Sequence, residues 1–165
     1  MSDSIPIQST PLQDAWPNAT CYGCGPANPK GLHIKSYWSA DGSAVVAEFH
    51  PRPEYNAGFD NVIYGGLVAS LIDCHSVWTA IAYAYRAEGR PHGEPPAISY
   101  VTGTLEVKFL KPTPLDQPLL LSATLEEMQG KKSIVRCMLG PAGTVTAEGR
   151  VTAIRISGDK SVGAG

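Results

Sequence analysis

The sequence predicts an α+β fold in which a curved antiparallel sheet wraps around one long helix. An apolar segment of helical length occupies residues 66–86, and about six shorter segments with the composition or alternation of strands precede and follow it. Because the helical segment is apolar almost all round, it must be enclosed rather than lie on the surface. A sheet that curves around the helix is the simplest way to enclose it.

Turn residues separate the predicted strands. The first two strands form a hairpin whose turn contains Asp41 and Gly42, and the Gln-Gly pair at 129–130 reverses the chain between two later strands. The six strands are predicted at 31–38, 43–50, 98–110, 118–128, 133–139 and 144–156.

The strand at 98–110 alternates apolar and polar side chains, which predicts one buried face. The apolar side contains Leu105, Val107 and Phe109, and the polar side contains Thr104, Glu106 and Lys108.

The length of 165 residues suits a single domain. Residues 1–30 are rich in Pro, Ser and Asn without a sustained period, so they are predicted to form an arm that wraps the domain. The domain itself is expected at 31–157, and residues 158–165 are expected to be a flexible tail.

The net charge and the N-terminal composition limit the classes of binding partner and the cellular compartment that we expect for this protein. Thirteen Lys and Arg residues stand against 15 Asp and Glu, so neither nucleic acid nor an acidic membrane surface is an expected partner. The N-terminal segment has no basic region followed by an apolar run, which favours the cytoplasm. Asp73, His75 and several hydroxyl side chains interrupt the apolar helix, and no basic flank orients it, so a membrane span is not expected.

The four cysteines are too few and too scattered for a disulfide framework, which favours a reducing compartment. Cys21 and Cys24 form a CxxC, but no second CxxC or spaced His pair completes a four-ligand zinc site. The glycines and prolines that follow favour a structural turn, with redox chemistry or a metal shared by two chains as alternatives. No cofactor and no metal is expected.

The helix has two faces of different character. One is bulky and should fill the concave side of the sheet; it contains Leu71, Cys74, Trp78, Ile81 and Tyr85. The other should allow a second backbone to approach; it contains Ala69, Ser70, Asp73, Ser76, Ala80 and Ala84. Asp73 is the only charge on this small face, and an acidic side chain in such a setting needs a compensating partner.

The pair Gly65 and Gly66 lies at the start of the helix, where the first amides lack intrahelical partners. Such amides suit a carbonyl oxygen that becomes negative during a reaction. Asp73 lies eight positions after Gly65, about 12 Å along a helix.

Three segments, CYGCGPANPKGL, YGGLVASLID and VTGTLEVKFLKPTPL, occur in an order that resembles the hotdog-fold acyl-CoA thioesterases. The resemblance covers about residues 21–156 and is to the phenylacetic-acid-degradation type, which has a catalytic Asp on the central helix. It implies that Asp73 is the catalytic carboxylate and that Gly65 and Gly66 polarise the thioester carbonyl. It further implies that Thr102 orients the attacking water and that Asn56 binds substrate.

One residue departs from the pattern of this family. Tyr64 stands where His usually precedes Gly-Gly, and a phenol is a poor base at neutral pH. Tyr64 is assigned to substrate binding, with a packed aromatic residue as the alternative. His75 is about 200° around the helix from Asp73 and cannot replace the missing imidazole on the same face.

The reacting carbon of a thioester must lie about 3 Å from both a nucleophile and an oxyanion donor. Because one chain can hardly supply both, we expect a homodimer, or a dimer of dimers, in which Asp73 meets Gly65 of the partner subunit. The hotdog family assembles in this way. Hydrolysis of acyl-CoA is the expected reaction, with Asp73 as general base or as nucleophile.

Other interpretations remain open at this stage. Asp73 could instead bond a buried polar group such as Ser70 or Ser76, and Thr102 could be an ordinary strand residue. The protein could bind acyl-CoA without turning it over, for which the loss of the family's His is suggestive. A hydratase or dehydratase is the third possibility, although those enzymes generally need a His beside their acid.

Overall fold

A computed structural model describes residues 9–157, so the predicted tail at 158–165 and the first eight residues of the predicted arm lie outside the described residues. The described part contains a long helix, α1 (Gly65–Ala87), and short 3-10 helices at Leu12–Ala15 and Pro53–Tyr55. Its strands are β1 (Ser36–Trp38), β2 (Val45–Phe49), β3 (Ser99–Phe109), β4 (Leu119–Gln129), β5 (Lys132–Gly140) and β6 (Ala147–Ile156).

The six strands form one sheet in the order β1-β2-β4-β5-β6-β3, and every neighbouring pair is antiparallel. Helix α1 packs against β3, β4, β5 and β6. The predicted α+β hotdog architecture, an antiparallel sheet wrapped around a central helix, is confirmed.

Turn chemistry explains two of the hairpins. In the β1–β2 turn, Asp41 accepts hydrogen bonds from the hydroxyls of Ser39 and Ser43, and Gly42 has a φ of 70°. Gly130 has a φ of 57° between β4 and β5. Strand β1 is shorter than predicted because the amides of Leu32 and Ile34 bond to carbonyls of the arm rather than to the sheet.

Gly149 in β6 allows the sheet to approach α1 closely. A Cβ at this position would collide with Cγ2 of Ile72, which is fully buried. The absence of a side chain at Gly149 therefore sets the distance between sheet and helix at this point.

The arm is fixed to the core by a buried chain of hydrogen bonds. Gln13 Nε2 donates to Ser36 Oγ at 2.9 Å, and Ser36 Oγ lies 2.8 Å from His75 Nδ1. His75 Nε2 donates to the carbonyl of Val45 at 3.0 Å, so Nδ1 is the acceptor for Ser36. Burial lowers the pKa of His75 to about 4. This histidine is a neutral core residue.

Strand β3 lies at an edge of the sheet and differs from the predicted half-buried strand. Val101, Leu105 and Phe109 are 47%, 38% and 55% exposed, and the polar side chains between them are exposed as well. A bulge between Thr102 and Thr104 interrupts the alternation. The free chain thus presents an 11-residue edge with unpaired apolar side chains.

The structure corrects the predicted division of the helix. Ser76, Ala80 and Ala84 are buried within the chain's own fold, so only Ala69, Ser70 and Asp73 of the small face stay partly exposed. Small residues suit these buried positions because the interior of a protein is closely packed. By length and composition, the helix could cross a membrane, but 67% of its most apolar 18-residue stretch is buried inside the fold.

Candidate active site

Asp73 and Thr102 meet where the middle of α1 faces the start of β3. The hydroxyl of Thr102 donates to Oδ1 of Asp73 at 2.5 Å. Ser70 does not bond to Asp73 but donates to the carbonyl of Gly66 at 2.8 Å. The bond from Thr102 fixes the orientation of the carboxylate group of Asp73. It involves Oδ1 and not the second carboxylate oxygen.

The environment of Asp73 favours its neutral form relative to an exposed carboxyl. Burial raises the pKa of Asp73, the hydrogen bond from Thr102 lowers it, and the negative charge of a Cys21 thiolate raises it further. The net effect is a raised pKa. When ionised, this carboxylate is a stronger base than a carboxylate in water.

A cavity of about 320 Å³ opens beside Asp73 and Thr102. Its remaining walls are predominantly apolar and aromatic, and they come from both the arm and the helix. They include Trp16, Val77, Trp78, Ile81 and Tyr100. Trp16 and Trp78 pack with ring centroids 4.7 Å apart, so the arm closes one side of the cavity. The contribution of Trp16 was not anticipated from the sequence.

Gly65 and Gly66 begin α1 and are exposed. Tyr64 precedes the helix with extended backbone angles, and its side chain does not cap the first turn. A Cβ at Gly65 would lie 3.1 Å from Phe109, and one at Gly66 would lie 2.7 Å from the ring of Tyr64. Both glycines are thus exposed in the single chain, and the rings of Phe109 and Tyr64 lie directly beside them.

A second cavity, of about 460 Å³, lies at this end of the helix. Gly65 and Phe109 contribute to its lining, together with Phe59, Val68 and Lys111. Within one chain, it is separate from the cavity at Asp73.

Asn56 lies in the loop before α1 and pairs with Ile63 through an isolated bridge. Its side-chain amide donates to the carbonyl of Pro53 at 3.2 Å, and its side-chain oxygen accepts from the amide of Gly58 at 3.0 Å. These bonds shape the loop. The substrate-binding role of Asn56 stays a prediction, as do the roles of Tyr64, Thr102 and the glycines.

Three cysteines that the sequence analysis did not group together meet at the wall of the Asp73 cavity. The Sγ atoms of Cys21, Cys24 and Cys74 all lie within 4.8 Å of one another. Cys74 comes from α1, 50 positions after Cys24, and only the contact between arm and helix joins them. The position of Cys74 immediately after Asp73 was the sequence signal that could have placed this cysteine near the site.

Comparison with solved structures establishes the family of this chain. The crystal structure of a thioesterase superfamily protein from Shewanella loihica is 32% identical in sequence, with a TM-score of 0.62, and the match covers 88% of this chain and 99% of that one. The chain belongs to the thioesterase superfamily. The predicted membership is thus confirmed. A scan of family models and a search of curated proteins both give no match.

Two structures of lower sequence identity share the fold. The PaaI protein from the phenylacetic acid degradation operon of E. coli is 17% identical, with a TM-score of 0.61 over 77% of this chain and 82% of that one. A protein from Bacillus halodurans, crystallised with CoA, is 20% identical, with a TM-score of 0.59 over 77% of this chain and 76% of that one. At such identities, the likeness concerns the fold alone.

Proposed function

We propose that this protein is a homodimeric acyl-CoA thioesterase in which Asp73 acts on a thioester whose carbonyl is bound by Gly65 and Gly66 of the partner subunit. The observation that carries the proposal is the carboxylate of Asp73, held by Thr102 at the edge of an apolar cavity. A base oriented in this way beside a pocket for an apolar group is what thioester hydrolysis requires.

The chemistry follows from the placement of these groups. Asp73 takes a proton from a water molecule as the water oxygen bonds to the carbonyl carbon. The helix-terminal amides stabilise the negative charge that develops on the carbonyl oxygen. The bond between carbon and sulfur then breaks, and the CoA thiolate leaves with the proton from Asp73.

Thr102 supports the role of Asp73 as general base. Its hydroxyl hydrogen is engaged by Asp73, so its oxygen is an acceptor for a hydrogen of the attacking water. If Asp73 were instead the nucleophile, hydrolysis in ¹⁸O-water could label its carboxylate, and mass spectrometry of the Asp73 peptide would detect the label. A labelled Asp73 would contradict the general-base mechanism.

The dimer is proposed because one chain contains two incomplete halves of a site. Gly65 and Asp73 are eight residues apart on the same helix, about 12 Å along its axis. The exposed edge strand β3 provides the surface for a two-fold contact, since long apolar edges are rarely left unpaired. Pairing two β3 edges places Thr102 and Phe109, on opposite ends of the strand, near the same interface.

The cavity beside Asp73 suggests the kind of acyl group. Its walls are aromatic and aliphatic, with Trp16, Trp78 and Tyr100 among them, so an aryl or medium-length apolar acyl chain fits better than a polar one. CoA itself would lie outside the cavity.

Hydrolysis of a panel of short, long and aromatic acyl-CoA esters tests the function. Free CoA should be measured by chromatography, because a thiol reagent would also react with the four cysteines of the chain. We expect turnover that is greatest for aryl or medium-length esters and is lost in Asp73→Asn. Asp116→Asn, which changes an exposed loop carboxylate, is the matched control.

The replacement of the family's His by Tyr64 favours a second candidate, a protein that binds acyl-CoA without hydrolysing it. Calorimetry with the same esters distinguishes the two candidates. Tight binding without release of CoA would contradict the thioesterase proposal and support the binding protein. Hydration of an enoyl-CoA without thioester cleavage would contradict both.

A further inference from the structure

The thiols of Cys21, Cys24 and Cys74 form a compact cluster that the proposed hydrolysis does not use. Cys21 is exposed, Cys24 is buried and Cys74 is partly exposed. Cys21 Sγ lies 3.8 Å from Cys74 Sγ, and the three sulfur atoms are all within 4.8 Å of one another. Two segments of the chain, the arm and the helix, contribute to this cluster.

The 3.8 Å between Cys21 Sγ and Cys74 Sγ matches the spacing of two thiolates around a tetrahedral ion, and Cys24 Sγ lies within 4.8 Å of both. Zn–S bonds of about 2.3 Å at tetrahedral angles place neighbouring sulfurs about 3.8 Å apart. A disulfide needs an S–S bond of about 2.05 Å and joins only two of the three cysteines. The convergence of three sulfurs therefore favours a metal site over a disulfide.

The backbone around the cluster brings the sulfur atoms together. A Cβ at Gly23 would collide with Sγ of Cys74, so only glycine lets the Cys21–Cys24 turn approach the helix. Gly25 closes the same turn with a 2.8 Å bond from its amide to the carbonyl of Cys21.

An N–H group also points at the cluster. The indole of Trp78 donates to Cys24 Sγ at 3.2 Å. N–H donors of this kind stabilise thiolates and orient metal ligands.

We propose that Cys21, Cys24 and Cys74 bind one Zn²⁺ ion as three thiolates, with a water molecule in the fourth position on the side of the cavity. Soft thiolate ligands select Zn²⁺ or Cu⁺, and a fourth oxygen ligand favours Zn²⁺. The ion joins the arm to α1 at the wall of the cavity that contains Asp73. It stabilises the fold by linking segments that are distant in sequence. The proposal does not depend on the thioesterase activity.

Metal content of the full-length chain, purified under reducing conditions without a histidine tag, tests the site. We expect about one zinc per chain, since the three thiolates of one chain bind one ion. We also expect Co²⁺ to replace zinc with thiolate-to-cobalt charge-transfer absorption in the near ultraviolet. Cys74→Ser should lose both signals, and Gly23→Ala should weaken binding although it keeps all three thiols. Cys137→Ala, which removes a buried cysteine outside the cluster, is the control and should keep both signals.

Thermal unfolding gives a second readout, which does not require a variant of the cluster to be fully stable. A strong chelator should lower the Tm of the wild-type protein and of Cys137→Ala, and should leave Cys74→Ser unchanged. Three outcomes would overturn the proposal: a metal content in the wild-type protein equal to that of Cys74→Ser after incubation with zinc, bound copper instead of zinc, or a Cys21–Cys74 disulfide in the freshly purified protein.

Discussion

The hydroxyl of Thr102 donates to Oδ1 of Asp73 at 2.5 Å, and this bond joins the central helix to the edge strand at the cavity. The two residues should therefore act together in catalysis. Asp73→Asn should lower kcat/KM by about 10²–10⁴-fold, because it removes the proton acceptor. Thr102→Val should lower it by about ten- to a hundredfold, the effect of losing one hydrogen bond to a charged group. Steady-state kinetics on the best acyl-CoA ester measures both.

The double variant of Asp73 and Thr102 provides the control. If Thr102 acts through Asp73, Thr102→Val should cause little further loss in the Asp73→Asn background. Multiplicative losses would show that Thr102 acts independently of the carboxylate.

Gly65 offers a test of the oxyanion donor. Gly65→Pro removes one N–H at the first helical position, where proline is tolerated. Tyr64, the residue before it, already has the backbone angles (φ −68°, ψ 140°) that a residue before proline adopts. We expect kcat to fall by about 10²–10³-fold. Gly65→Ala meets the same ring of Phe109 but keeps its N–H, so it should be much less impaired. Equal losses in the two variants would assign the effect to packing instead.

Mixing two inactive variants tests whether the site is shared between subunits. A hybrid dimer of Asp73→Asn and Gly65→Pro has one site in which both groups are intact. With random exchange of subunits, activity should return to about a quarter of the wild-type value, since half the dimers are hybrids with one intact site each. If Asp73 and Gly65 serve the same site within one chain, mixing restores no activity.

Much of the fold could be predicted because the relevant signals are local. The apolar segment at 66–86 and the Asp41-Gly42 and Gln129-Gly130 turns each specify their own structure. The period of an α-helix predicts which residues share a face, but it does not predict which face packs against the sheet. For this reason, the predicted small face was wrong at Ser76, Ala80 and Ala84, which are buried within the chain's own fold.

The candidate site was only partly predictable for a related reason. Asp73 could be identified as an isolated charge on an apolar helix. Its contact with Thr102 depends on how β3 crosses that helix, and the resemblance implied only that Thr102 orients the attacking water, not that it bonds to Asp73. The thiol cluster depends on the path of an irregular arm, and the sequence of that arm, residues 1–30, has no periodic signal.

The apolar edge of β3 should mediate dimer formation. Leu105→Glu would place like charges near a two-fold axis and so oppose dimer formation. We expect the wild-type protein to have a mass of about 35 kDa, twice that of the 17.5 kDa chain, and the variant to be a monomer with reduced activity. Light scattering coupled to size exclusion measures the mass. Val145→Glu changes an apolar residue with the same 38% exposure outside β3 and should stay dimeric. A monomeric and fully active wild-type protein would contradict the shared site.

His92 should make the stability sensitive to mild acid. Its ring lies between Trp78 and Tyr85, and Nε2 donates to the carbonyl of Leu12 at 2.9 Å. Burial lowers the pKa of His92 below its ordinary value of 6.5, an effect that its hydrogen bond to Leu12 only partly offsets. As pH falls below about 6.5, the unfolded chain therefore takes up a proton before the folded chain does, and the free energy of unfolding decreases. Stability should thus be lost between the ordinary pKa and the lower pKa of the folded state.

Urea unfolding at several pH values between 7 and 5 measures this effect. His92→Asn should have a shallower dependence of the unfolding free energy on pH than the wild-type protein. An identical slope would mean that His92 titrates alike in the folded and unfolded states.

Gly149 and Ile72 should be coupled in stability, because a Cβ at Gly149 would collide with Cγ2 of Ile72. Gly149→Ala should cost about 1–3 kcal/mol by overpacking, and Ile72→Ala should cost about 2–5 kcal/mol by leaving a cavity. In the double variant, the new methyl group occupies part of that cavity, so the combined cost should be less than the sum of the two single costs. Urea unfolding of the four proteins in this cycle measures the coupling. Additive costs would show that the sheet moves away from α1 to accommodate the methyl group, and that Gly149 does not set the distance between them.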